Sequence, residues 1–245
     1  MRSKRFEESG LSLDEASDLA SSRIMHGYDL IIFDCDGVLV DSELLACRCL
    51  AELLNKAGVA ATPQEMLDRF LGRSLGSVIA HYQTLGHELP PDFEAKLRSR
   101  VRADFAAGLR PIPDIAEVLP RLGVAYCVAS SSDTERVAHS LELTGLAGLF
   151  GSRVFTAQMV ARGKPAPDLF LHAAARMEVA PRRTLVIEDS VSGVEAGKAA
   201  GMTVWGFVGG SHHAVGDPRA LLEAAGADRV FDQMRDLLGL EGEPE

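Results

Sequence analysis

An α/β architecture, an open parallel sheet with helices on both faces and a small α-helical insert, follows from three observations in the sequence. Five short runs rich in Val, Ile, Leu and Phe, at 29–34, 124–130, 153–156, 184–189 and 203–208, end in polar or small residues. Most are apolar at both alternating positions, the pattern of central parallel strands buried on two faces. Amphipathic stretches near 134–144, 168–177 and 191–200 separate the later runs and supply crossovers between parallel strands. The third observation is a long interval without strand signal between the first two runs.

Residues 1–27 precede the patterned sequence. Ser12-Leu13-Asp14-Glu15 begins like a capped helix, and Leu13, Ala16, Leu19, Ala20 and Ile24 recur at helical spacing. This extension reads as a short amphipathic helix, as a frayed tail, or as sequence ahead of a true start at Met25. After the first run, residues 43–108 form a helical cap domain, because the interval is too long for an ordinary connection. Leu44, Leu50, Leu53 and Leu54 mark one helix ending at Gly58; Val78, Ile79 and Tyr82 mark a second; Phe93, Leu97, Val101 and Phe105 mark a third. Pro111, Pro113 and Asp114 mark the return, so 28–42 and 109–245 form the core. Gly201 is placed as the residue just past the helix expected near 191–200.

Composition narrows the function. With 47% apolar and 24% charged residues the chain is not a disordered or collagen-like one. A formal charge of -10 argues against nucleic acid as a partner, since such binding rests on clustered Lys and Arg. No apolar run approaches the roughly 18 residues needed to span a bilayer, and none suits a secretory signal. Cys35, Cys47, Cys49 and Cys127 lack paired spacing and read as reduced, buried residues, so neither a disulfide framework nor a zinc site is expected. The expectation is a cytoplasmic protein, a monomer or weak homodimer, without a membrane partner.

In open α/β sheets, ligands bind beyond the carboxyl ends of the strands. Asp34 and Asp36 end the first run, Ser130, Ser131 and Ser132 the second, and Glu188 and Asp189 the fourth; Lys164 lies in a Gly-Lys-Pro stretch after the third. One such Asp alone is more often a turn former or cap. Repetition at several strand ends is not explained that way. Carboxylates packed this closely repel, and Mg²⁺, which takes one or two carboxylates plus phosphate and water, resolves the repulsion.

Asp34-Cys35-Asp36-Gly37-Val38-Leu39-Val40-Asp41-Ser42, the Ser130 strand end, Gly163-Lys164-Pro165 and Glu188-Asp189-Ser190 resemble, in order, the four motifs of the haloacid dehalogenase superfamily. Within it the chain looks like the β-phosphoglucomutase-like group, and Phe33-Asp34-Cys35-Asp36-Gly37 is similar to the wording of 6-phosphogluconate phosphatase-like members. The resemblance implies a Rossmann-like core with a helical cap, and a Mg²⁺-dependent phosphatase acting on a small phosphorylated metabolite (a sugar, sugar-acid or polyol phosphate) through an aspartyl phosphate. It implies that Asp34 is the nucleophile and Asp36 the general acid and base. Asp34, the backbone carbonyl of Asp36 and Asp189 would hold Mg²⁺, with Glu188 in support. Ser130 would donate to a phosphoryl oxygen and Lys164 would balance charge. Gly37, Ser131, Ser132 and Arg73 complete the substrate-binding set.

Several positions discriminate between reactions. Asp36 selects phosphoryl transfer, because dehalogenases of the superfamily lack an Asp there. Ala46 stands where mutases of the β-phosphoglucomutase type carry a His, which favours water as acceptor; a phosphosugar mutase is the alternative. A receiver-like phospho-acceptor or binding module is a further one, opposed by the helical insertion. Arg73, between two cap helices, is the specificity candidate, with hinges expected at 41–44 and 107–113. Asp41 and Ser42 are expected to support the turn and cap the next helix, Trp205 to be core, Cys47 and Cys49 to face different directions, and His212-His213 to lie in a surface loop.

Overall fold

The protein is described here from a computed structural model, over residues 27–214 and 216–239. All three readings of the N-terminal extension, the helix, the frayed tail and the start at Met25, lie outside these residues.

Six strands form one parallel sheet in the order β3-β2-β1-β4-β5-β6. They are β1 (Leu30–Phe33), β2 (Ala125–Ser130), β3 (Val154–Thr156), β4 (Thr184–Glu188), β5 (Thr203–Phe207) and β6 (Arg229–Phe231). β1 pairs on one side with β2, Leu30 opposite Ala125, and on the other with β4, Phe33 opposite Ile187. The chain leaves β1 toward one edge and later returns to the other side, which makes the β1–β4 seam the switch point where a crevice opens. Alternation sorts β1 between two layers. Ile31 and Phe33 enter one apolar cluster, while Leu30 and Ile32 enter the other.

The five expected strands are present. The sixth, β6, was not anticipated, because three residues at an edge give no readable period. Trp205 in β5 is partly buried between the edges of Tyr28 and Phe231.

Four helices fill the interval between β1 and β2: α1 (Glu43–Lys56), α2 (Pro63–Phe70), α3 (Leu75–Thr84) and α4 (Phe93–Gly108). α2 is an addition to the expected three. Its signal was present: Thr62 accepts from Glu65 N at 3.2 Å while Glu65 Oε2 accepts from Thr62 N at 2.9 Å, with Pro63 at the first helical position. Leu54, Met66, Phe70, Tyr82, Leu97 and Phe105 bury the apolar faces of this insert in one cluster with the sheet. The two connections to the core lie side by side, with Asp41 N donating to Arg110 O at 2.9 Å and Ile112 N to Leu39 O at 2.9 Å.

Four further helices, α5 (Thr134–Leu143), α6 (Asp168–Arg176), α7 (Val191–Ala199) and α8 (Pro218–Ala224), pack on the sheet. Gly201 takes φ 70° just beyond α7, as the sequence predicts. Cys35, Cys47, Cys49 and Cys127 are all buried and unpaired. Among the described residues no helix is long and apolar enough to cross a membrane.

Candidate active site

The β1–β4 seam brings the strand-end residues together. Lys164 Nζ donates to Asp34 Oδ1 at 2.6 Å, to Glu188 Oε1 at 2.6 Å and to Ala129 O at 3.0 Å, which uses all three of its N–H donors. Its ammonium also lies 4.8 Å from the centre of the Phe170 ring. The other Glu188 oxygen accepts from Asp189 N, Ser190 N and Ser190 Oγ at 3.0, 3.1 and 3.0 Å. Glu188 is thus immobilised on every side.

Asp34, Glu188 and Asp189 each offer an oxygen within 4.8 Å of the others. Burial is the largest influence on Asp34 and pushes its carboxyl well above the usual range; Lys164 opposes this, and Glu188 and Asp189 add to it. Burial and then Glu188 push Asp189 up in the same way. Burial works against the Lys164 ammonium too, but Asp34 and Glu188 outweigh it, so its proton is held more tightly than usual. One fixed cation among three buried carboxylates leaves a deficit of positive charge. Asp189 Oδ2 is buried without a hydrogen bond among the described residues. An all-oxygen, over-acidic donor set of this kind fits a hard divalent cation.

Asp36 sits in the turn that follows β1. Gly37 N donates to Val40 O at 2.8 Å with Gly37 at φ 78°, and a Cβ there would lie 1.8 Å from Asp189 Oδ2. Only glycine satisfies both the backbone angle and the close approach. The Asp36 side chain turns away from the carboxylate group. Its Oδ1 accepts from Ser42 Oγ at 2.6 Å and from Arg136 Nη2 at 2.7 Å, and its Oδ2 accepts from Ser132 Oγ at 2.6 Å. Burial alone would push its pKa up, yet Arg136 and the two hydroxyls hold it below the ordinary carboxylate value.

A cavity of about 550 Å³ opens above these residues. Asp34, Asp36, Ser130, Ser131 and Ser132 line its core side, with Ala46 and the exposed Arg73 on the insert side. Ser130 is buried, and its Oγ accepts from Ser132 N at 3.1 Å. The loop before α3 reaches the core, because a Cβ on Gly72 would meet Ser190 Oγ at 2.2 Å. Arg98 on α4 pairs with Asp133, and Arg102 with Glu135 at 3.0 Å, joining the insert to the start of α5.

With this geometry in place, comparison with known proteins decides the family. The family model for haloacid dehalogenase-like hydrolases matches residues 31–207. The chain belongs to the haloacid dehalogenase-like hydrolase family. It is 30% identical over 194 residues to the 6-phosphogluconate phosphatase of Escherichia coli K12, covering 77% of this chain and 86% of that one. It is 31% identical over 179 residues to hexitol phosphatase A of the same organism, covering 71% and 80%. Among solved structures, a conserved haloacid dehalogenase-like protein of unknown function from Agrobacterium tumefaciens superposes with a TM-score of 0.75 at 36% identity, covering 86% of this chain and 96% of that one.

In this haloacid dehalogenase-like hydrolase two sequence expectations need correction. Ser42 makes no capping bond to α1 and instead donates its hydroxyl to Asp36. His212-His213 is not a surface loop without a carboxylate partner. It lies in a single turn of tighter helix, Ser211–Ala214, where His212 is buried with Nε2 at 3.0 Å from Asp189 Oδ2. The two rings lie 3.8 Å apart, and burial keeps both imidazoles below the ordinary histidine pKa, His213 at about 3. The carboxylate partner comes from another strand end, so no spacing along the chain could show it.

Two residues went unread. Arg136 follows the α5 N-cap by three positions, where an arginine ordinarily faces solvent; here it reaches Asp36, with its guanidinium 5.1 Å from the Phe105 ring. Glu43, in the first turn of α1, has the composition of a helix-start charge. Instead it is buried, and burial followed by the charges of Asp36 and Asp189 raises its pKa to about 8.

Proposed function

We propose that this hydrolase is a divalent-metal-dependent phosphatase that cleaves a small phosphorylated metabolite, a sugar, sugar-acid or polyol phosphate, through an aspartyl phosphate on Asp34. The observation that carries the reading is the position of Asp34. It lies at the floor of the cavity with Oδ1 held by Lys164, beside Glu188 and Asp189 and two residues from Asp36. The phosphatase names of the relatives support the same class, and those names print a sugar-acid phosphate and a hexitol.

Lys164 restrains one oxygen of Asp34 and leaves Oδ2 to attack phosphorus, forming the Asp34–phosphorus bond as the ester oxygen departs. The departing alkoxide takes a proton from Asp36. Water then attacks phosphorus, the bond to Asp34 breaks, and Asp36 takes the proton of that water. Arg136 holds Asp36 ionised before substrate arrives. A phosphoryl dianion in the cavity competes for Arg136 and, as a nearby like charge, raises the Asp36 pKa toward the protonated form that the first step needs.

Asp34, Asp189 and the backbone carbonyl of Asp36 would hold Mg²⁺, with Glu188 in support. Bound there, the cation would supply Lewis-acid charge to the phosphoryl oxygens. Ser130 and Lys164 serve the equatorial charge of the transferred group. Residues 43–108 act as the cap over a core of 28–42 and 109–245, and Arg73 on its loop selects the substrate. Ala46 lines the cavity without an ionisable side chain, which favours water over a second sugar as acceptor. The buried unpaired cysteines favour the cytoplasm.

The test is phosphate release with Mg²⁺ and with EDTA across sugar, sugar-acid and polyol phosphates and an activated aryl phosphate, with Asp34→Asn as blank. Metal-dependent release from some members and none from the blank is the expected result. Release by Asp34→Asn at the wild-type rate would remove the nucleophile assignment.

A further inference from the structure

His212 lies outside the four motifs, yet its side chain is 1% exposed and touches the side chain of Asp189, itself 2% exposed. Among the described residues neither His212 Nε2 nor Asp189 Oδ2 makes a hydrogen bond, either to the other or to any further group. Each is a buried polar atom whose isolation is costly, and the two lie 3.0 Å apart, so a turn of the imidazole that points an N–H at the oxygen satisfies both at once.

The placement of the ring is built into the backbone. Ser211 N and Ser211 Oγ donate to Asp41 Oδ1 at 3.1 and 2.8 Å, which fastens the turn after β5 to the loop that carries Asp34 and Asp36. Gly37 and Gly210 line the ring on two sides: a Cβ on either would approach His212 Cε1 to 2.9 and 2.7 Å. The ring of His213 closes the third side at 3.8 Å between centroids. A residue that only filled space would not be set with a nitrogen against the orphaned oxygen of a strand-end carboxylate.

We infer that His212 is a positioning residue for the metal centre: its imidazole donates to Asp189 Oδ2 and so turns the other carboxylate oxygen toward the cation. The inference rests on the reading of Asp189 as a metal ligand. Partners of this kind fix the orientation of the ligating atom and commonly account for about 10–100-fold in metal affinity.

Mn²⁺ binding to the metal-stripped full-length protein, followed by the loss of the free-ion electron paramagnetic resonance signal, tests it without turnover. Wild type, Asp189→Asn, His212→Ala and His212→Gln are compared, with melting of each metal-free protein alongside. The expected result is binding by wild type, loss in Asp189→Asn, affinity about 10–100-fold weaker in His212→Ala, and partial recovery in His212→Gln, whose amide can donate. Wild-type affinity in His212→Ala would overturn the inference. So would a loss that follows a matching fall in metal-free stability and is not recovered by Gln, because that marks simple packing. A loss for Mn²⁺ with Mg²⁺ competition unchanged would also overturn it, since His212 would then be a direct nitrogen ligand. No binding by wild type, or unaltered binding by Asp189→Asn, would instead strike the underlying reading of the metal centre.

Discussion

Arg136 Nη2 lies 2.7 Å from Asp36 Oδ1, and the same guanidinium lies over the Phe105 ring of the insert, so one side chain touches both Asp36 and the insert. Arg136→Ala should therefore slow turnover more than it weakens substrate binding, and it should raise the apparent pKa that Asp36 contributes to the rate profile. Stability should fall by about 2 kcal/mol, less than the roughly 3–5 kcal/mol lost on breaking a fully buried pair, because the Arg136 side chain is 27% exposed. Steady-state kinetics against pH, with chemical denaturation, check both. An unchanged profile would show that Arg136 does not govern Asp36.

Gly193 sets two opposing effects against each other. Alanine is favoured over glycine in a helix by about 1 kcal/mol, which alone predicts a gain. A Cβ at this position would stand 1.8 Å from the Glu188 carboxylate, and that group cannot retreat because Lys164, Asp189 N and Ser190 hold it. Displacement should win, giving Gly193→Ala a net loss of about 1–3 kcal/mol together with weaker metal binding. Thermal melting and Mn²⁺ titration measure the two, and a stabilised variant would refute the tightness of this packing.

Glu43 makes stability depend on pH. Its pKa rises from 4.5 in the unfolded chain to about 8 in the fold. The folded state therefore binds the proton more tightly, and the stabilisation that this brings is complete below pH 4.5 and lost as pH climbs toward 8. Metal-free wild type should lose melting temperature between about pH 5 and pH 8, and Glu43→Gln should lose less over that interval. Parallel curves for the two proteins would mean that Glu43 is ionised in the fold.

Arg73 lines the cavity from the insert side. Arg73→Ala should raise KM for substrates with a second anionic or hydroxyl-rich group by roughly tenfold or more, the loss of a charge-assisted hydrogen bond of about 1.5–3 kcal/mol. An activated aryl phosphate, which offers Arg73 nothing to hold, should be affected little. Comparison of kcat/KM across both substrate kinds decides; equal losses would assign Arg73 to the common machinery.

Five main strands, the helical insert and the strand-end set of Asp34, Asp36, Ser130, Lys164, Glu188 and Asp189 are legible in the amino-acid sequence alone. Such features are local, since a doubly buried strand needs a continuous apolar run and a ligand site in this architecture begins where that run ends. The partners of these residues emerge only once the chain is folded. Ser42 has the position of a helix cap, Arg136 and Glu43 of helix-start charges, and His212 of a loop residue; instead Ser42 and Arg136 donate to Asp36, His212 lies against Asp189, and Glu43 is buried within the influence of the charges of Asp36 and Asp189. Their roles rest on contacts between segments as far apart as Asp36 and Arg136, where chain spacing carries no distance information and burial, rather than local propensity, fixes what each side chain must satisfy.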